Sequence, residues 1–147
     1  MKKFTHEAMR GYSIWSVGDR ELMAAYVSKI NQCPFCIGAH TSTAALAYHD
    51  DDKVSTVLHN LETAPIEEPL KAILKMLGKL ALEHKVSVED MQAVRAAGVL
   101  PEQIKDALDI GFAFNVTNRL ANAFGFEILS PEGFKAGAKF LLKRGYR

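Results

Sequence analysis

Gly18-Asp19-Arg20-Glu21-Leu22-Met23-Ala24-Ala25-Tyr26-Val27-Ser28-Lys29-Ile30-Asn31 reads as one amphipathic helix, because Leu22, Met23, Tyr26, Val27 and Ile30 recur at helical spacing. Asn31 can close it, and Pro34, favoured in a first turn, can open a second helix to about Tyr48. Outward from this pair the same punctuation continues. Asp50, Asp51 and Asp52 offer caps for a shorter helix through Leu61. Thr63-Ala64-Pro65 is a turn, with Glu67 and Glu68 in the following first turn, where peptide dipoles favour acids. The apolar positions Ile66, Leu70, Ile73, Leu74, Leu77, Leu80 and Ala81 then predict a long helix ending near His84. Ser87 with Asp90 resembles a capping box for a helix to Ala97, terminated by Gly98. Pro101 opens a long helix that Gly125 ends, and Ser130-Pro131-Glu132 starts the last one. Strand alternation and two-residue hairpin turns are missing. The expectation is an all-α fold of seven or eight helices, spanning residues 1–147 as one domain.

Composition narrows the function classes. The 147 residues are 48% hydrophobic and 24% charged, as in an ordinary globular chain. Lys and Arg total 18 against 17 Asp and Glu, so the net charge of +1 gives no electrostatic reason to expect nucleic acid or an anionic membrane. No apolar run approaches the roughly 18 residues of a membrane span. The opening MKKFTHEAMRGY breaks into polar residues before a signal-peptide core can form, so a cytoplasmic location is expected.

Both cysteines of the chain, Cys33 and Cys36, fall in one CxxC. No cysteine remains for a long-range disulfide framework, which shifts the weight toward redox chemistry or metal binding. Zinc would need four ligands; there is no second CxxC, and His49, His59 and His84 are scattered, so no metal site is expected. With Pro34 in the first turn, Cys33 sits about 60° and His40 about 40° around the helix from Cys36, so two sulfurs and an imidazole share one face. Helix dipole and imidazole should both lower a thiol pKa. A thiolate attacks peroxides or disulfides, and a second thiol three residues away can resolve the resulting sulfenic acid. Glu21 projects about 170° from the apolar stripe of its helix. It shares that face with the small residues Ala24, Ala25 and Ser28, which let another backbone approach and bury the carboxylate as a base of raised pKa. Asn115, Asn118 and Asn122, with Arg119 beside them, form a polar stripe on the long penultimate helix. They bond neighbouring helices or subunits, or serve as donors around the thiols.

The pattern Glu21-x11-Cys33-x2-Cys36-x3-His40 resembles the alkylhydroperoxidase AhpD-like core, within the carboxymuconolactone decarboxylase-like superfamily. Gly18 to Leu22, Ala25 to Ser28, Cys33 to His40 and Asn115 to Gly125 carry the resemblance, which covers roughly residues 10–130. It implies an all-helical fold assembled as trimers or hexamers, and thiol-dependent reduction of hydroperoxides without metal or organic cofactor. Cys36 would be the nucleophile that becomes a sulfenic acid, and Cys33 the proton donor and resolving thiol. Glu21 and His40 would relay protons, and a lipoyl group or small redox protein would supply the reducing dithiol. AhpD itself often has His directly before the second cysteine. Here Phe35 stands in its place, which shortens the relay. The alternative functions are a non-enzymatic thiol redox sensor or adaptor, in which the disulfide changes a partner-binding surface, and a lactone decarboxylase-like activity.

Overall fold

Capping residues set the helix boundaries. The computed structural model describes residues 1–147 as eight α-helices: α1 (Lys2–Arg10), α2 (Val17–Ile30), α3 (Pro34–Tyr48), α4 (Asp51–His59), α5 (Glu68–Glu83), α6 (Val88–Ala96), α7 (Pro101–Ala123) and α8 (Pro131–Arg144). The Ser16 hydroxyl accepts from the Asp19 N–H at 3.0 Å while the Asp19 carboxylate accepts from the Ser16 N–H at 3.1 Å. Ser87 and Asp90 repeat the arrangement at the head of α6. Gly98 and Gly125 adopt φ of 88° and 62° just beyond α6 and α7, where left-handed backbone favours glycine.

Three details depart from the sequence reading. Residues 2–10 form a helix that their polar run does not announce; its buried Thr5 and Met9 fix it to the body of the protein. Helix α4 stops at His59, because Asn60 turns extended (φ −153°, ψ 101°) and sends Leu61 into the core. Helix α5 starts at Glu68 with Glu67 as N-cap, leaving Ile66 in the preceding turn.

Helix α2 is the axis of the molecule. It contacts α1, α3, α4, α5 and α7, so its polar face is buried along with its apolar one. Leu22, Met23 and Val27 join Ile73, Leu74, Leu77, Ile110 and Phe114 in a 25-residue core. Burying one such side chain stabilises by about 1.5–3 kcal/mol, so this core dominates the favourable side of folding. Gly38 permits the close approach of α8 to α3: a Cβ there would lie 2.4 Å from the Phe134 ring. That contact carries the C-terminal segment, with Tyr146, up to the N-terminal half of α3. No helix is long and apolar enough to cross a membrane.

Candidate active site

Cys33 is the N-cap of α3 and Cys36 lies in its first turn, so both thiols sit at the positive end of a helix. The connection from α2 is tight. Gln32 adopts φ 54°, a left-handed conformation that costs a non-glycine residue on the order of 1 kcal/mol. The turn is secured by the Cys33 N–H, which donates to the Ser28 carbonyl at 3.0 Å, and by Asn122 Nδ2, which donates to the Gln32 carbonyl at 3.2 Å. Both cysteines are free and buried, packed with Ala121 and Phe35.

Burial corrects the expected thiol acidity. Desolvation pushes the Cys36 thiol up to about 12, the adjacent Cys33 thiol reinforces the rise, and a hydrogen bond from Asn118 opposes it. Desolvation prevails, and His40 makes no hydrogen bond with Cys36, so Cys36 rests as a thiol.

Glu21 and His40 come together as a buried pair. The Glu21 side chain is fully shielded, and its Oε2 lies 2.8 Å from His40 Nδ1. Two further donors, absent from the sequence reading, complete the carboxylate. Arg10 donates from Nη2 to Oε1 at 2.6 Å, and the Tyr146 hydroxyl reaches Oε1 and Oε2 at 2.8 and 3.0 Å. Arg10 Cζ also stands 5.2 Å from the centre of the Tyr146 ring. Burial by itself would raise the Glu21 carboxyl, but His40 and Arg10, by hydrogen bond and by charge, hold it below the ordinary value. Tyr146 is pushed well above its ordinary value by burial and by the Glu21 charge, so it remains a phenol donor. The expected base of raised pKa is therefore a stable anion instead. A carboxylate so placed keeps a proton on His40 Nδ1, and the ring's other nitrogen, Nε2, has no protein hydrogen-bond partner.

The two halves meet at one cavity of about 320 Å³. Cys36, His40 and Tyr146 line it, and its other walls are mostly apolar, among them Phe35, Phe114 and Phe134. Phe35 meets Phe126 edge-on at 5.3 Å and Phe134 at 6.0 Å, so the residue that stands where AhpD often has His builds the apolar wall. Phe114 sets its edge against the His40 ring at 4.4 Å. Cys33 does not line this cavity but packs with Cys36 in the same small cluster.

The asparagine stripe divides. Asn118 is fully buried, bonds the Ser28 hydroxyl at 2.9 Å, accepts from Asn31 at 3.0 Å and donates toward Cys36. Asn115 accepts from Asn31 at 2.8 Å, tying α7 to the end of α2. Arg119 is exposed and bonds only the Asn115 carbonyl of its own helix, so it stands apart from the thiols. No three His, Cys, Asp or Glu side chains converge as a metal-ligand set.

Comparison with known proteins falls on the same fold. The chain superposes with TM-score 0.81 on an uncharacterized peroxidase-related protein from Silicibacter sp. TM1040, at 25% identity, covering 90% of this chain and 69% of that one. An alkylhydroperoxidase AhpD core protein from Ralstonia eutropha JMP134, also described as uncharacterized and peroxidase-related, gives TM-score 0.81 at 25% identity, over 92% and 72% of the two chains. The chain has the AhpD-like fold. No family model and no curated protein matches the sequence. Within this AhpD-like frame, Arg10 and Tyr146 are the site residues the sequence reading missed. One lies 11 residues before Glu21 and the other 125 after it, and neither belongs to a short motif.

Proposed function

We propose that this chain is a thiol-dependent peroxidase of the AhpD type, acting on organic hydroperoxides. The observation that carries the reading is the shared cavity, where a buried thiol and an anion-supported imidazole face the same apolar space. In the first step, Cys36 transfers its proton to His40 Nε2 as its sulfur attacks the terminal peroxide oxygen. The O–O bond breaks, the alkoxide takes the proton from His40 and leaves as an alcohol, and Cys36 becomes a sulfenic acid. In the second step, the Cys33 thiol attacks the Cys36 sulfur and gives up its proton as the S–O bond breaks. The Cys33 proton leaves with the hydroxyl as water, and a Cys33–Cys36 disulfide forms. An external dithiol, a lipoyl group or a small redox protein, returns the two electrons.

The anion at Glu21 contributes by stabilising the imidazolium that forms transiently. Because Cys36 rests as a thiol near 12, its deprotonation belongs to the reaction step and not to the resting enzyme. The aromatic walls favour an apolar alkyl or aryl hydroperoxide over hydrogen peroxide, because they desolvate the organic group and offer few polar contacts. A homo-oligomer, trimer or hexamer, is part of this reading. Its support is the exposed run Phe124, Phe126, Ile128 and Leu129. Reduced thiols of this kind suit the cytoplasm.

The test is consumption of cumene hydroperoxide and of hydrogen peroxide by reduced protein, with dihydrolipoamide or dithiothreitol as donor. Turnover that disappears in both Cys33→Ser and Cys36→Ser supports the reading, whereas a Cys36→Ser protein that still turns over overturns it. The buried, poorly acidic Cys36 favours a second reading, a redox sensor or adaptor. A disulfide that forms on peroxide exposure without turnover would establish that reading instead.

A further inference from the structure

Around the residues that flank Tyr146 lies a concave, strongly cationic pocket built by α1, the end of α8 and the residues after it. Its lining includes His6, Arg10, Lys143, Arg144 and Arg147 and contains no acidic side chain. Glu7 stands in the adjoining depression, where Lys2 and Lys3 outnumber it. Arg10 is paired with Glu21, but no Asp or Glu carboxylate comes within 4.0 Å of Lys143, Arg144 or Arg147. Three unpaired cations around one concavity repel each other and gain by sharing a counter-anion.

The local hydrogen bonding carries a sharper signal. The Tyr146 N–H donates to His6 Nδ1 at 3.2 Å, so in the neutral ring the proton sits on Nε2. Arg147 Nε, always a donor, lies 3.1 Å from that same Nε2. Two N–H donors thus face each other with no acceptor between them. The His6 ring is held there by Gly145, where an added Cβ would lie 2.6 Å from it. A third donor waits nearby: the buried Nε of Arg10 has no hydrogen-bond partner.

We propose that this pocket is a binding site for a small soluble oxyanion of the phosphate type, with Arg10 shared between the bound anion and Glu21. Phosphate oxygens satisfy the opposed His6 and Arg147 donors and neutralise Lys143 and Arg144, in the geometry guanidinium groups favour. Because Arg10 is also paired with Glu21 at 2.6 Å, occupancy of the pocket reaches the Glu21–His40 pair without touching the thiols.

The experiment is calorimetric titration of the full-length reduced protein with inorganic phosphate at constant ionic strength, chloride replacing phosphate. One saturable site is expected, weakened by about tenfold or more in Arg147→Glu and in Lys143→Glu, both exposed positions whose folding is checked by circular dichroism. In parallel, the ring nitrogen resonances of His40 should shift on phosphate addition in the wild type and stay fixed in Arg147→Glu. The absence of saturable binding, or binding unchanged by both charge reversals, overturns the site. Fixed His40 resonances in the phosphate-bound wild type overturn the coupling through Arg10. Binding to phosphatidylglycerol vesicles with no response to free phosphate also overturns it, in favour of a membrane headgroup surface.

Discussion

Glu21 and Cys36 stand within one site, both almost completely out of water, and their acidities move in opposite directions. Desolvation is the largest influence on each and pushes both upward. At Glu21 it is outweighed because donors from three separate elements converge on two oxygens: Arg10 of α1, His40 of α3 and Tyr146 after α8. At Cys36 the only favourable partner is the Asn118 amide, and the neighbouring Cys33 sulfur works against it by hydrogen bond and by charge. Depth of burial is therefore a poor guide to charge state. What decides is how many donors the fold delivers to the buried atom. One half of the site holds a negative charge, and the other rests as an uncharged thiol.

Removing the cation from the charged half breaks the comparison most severely. Arg10→Met leaves the Glu21 carboxylate buried with Tyr146 and His40 alone, and should cost about 3–5 kcal/mol by urea denaturation at neutral pH. The acid limb of the stability curve tests the same point. A carboxyl held below its ordinary value stabilises the fold above that value, 4.5, and the contribution drains away as pH falls toward the folded-state value. In Arg10→Met that acid-dependent loss should shrink or reverse. An unchanged acid limb would show that His40 and Tyr146 hold the anion without Arg10.

The thiol half predicts the opposite limb. Cys36 is raised from 9.0 to about 12, so the unfolded chain releases this proton first and stability falls as pH rises from about 9 toward 12. Cys36→Ala should flatten that alkaline loss and leave the acid limb alone. Alkylation of the wild type by iodoacetamide, followed at Cys36 by peptide mapping, should keep accelerating past pH 9, where an ordinary thiol levels off. A plateau near pH 7 would mean an activated thiolate in the resting protein and would erase the contrast between the two halves.

The legibility of the site follows the same division. Cys33, Cys36 and His40 are readable because they lie on adjacent turns of one helix, where sequence spacing is spatial spacing. The fold is readable for a similar reason, since caps such as Ser16 with Asp19 and Ser87 with Asp90 act over three residues. Glu21 was legible as a position but not as a charge state. The small residues Ala24, Ala25 and Ser28 signal close approach of another helix, yet only tertiary structure supplies Arg10 and Tyr146. Arg119 shows the converse case. It lies one residue from Asn118, but a helix turns about 100° per residue, and that step carries it from the buried face to the surface.

Tyr146→Phe is the mildest way to sharpen the contrast. The substitution keeps the ring that lines the cavity and the face Arg10 stands over, and deletes only the hydroxyl bonded to Glu21 at 2.8 and 3.0 Å. A hydrogen bond to a charged group contributes about 1.5–3 kcal/mol, and because Arg10 and His40 remain the loss should sit at the lower end, about 1.5 kcal/mol. The Glu21 anion then leans harder on His40 Nδ1, since one competing donor has gone. Stability should therefore fall modestly while the His40 Nδ1 proton moves downfield in the NMR spectrum. A Tyr146→Phe protein with lost stability and an unmoved proton would mean that the hydroxyl only fills space. In that case the charged half of the site is held by two donors, and its distance from the thiol half is smaller than the geometry implies.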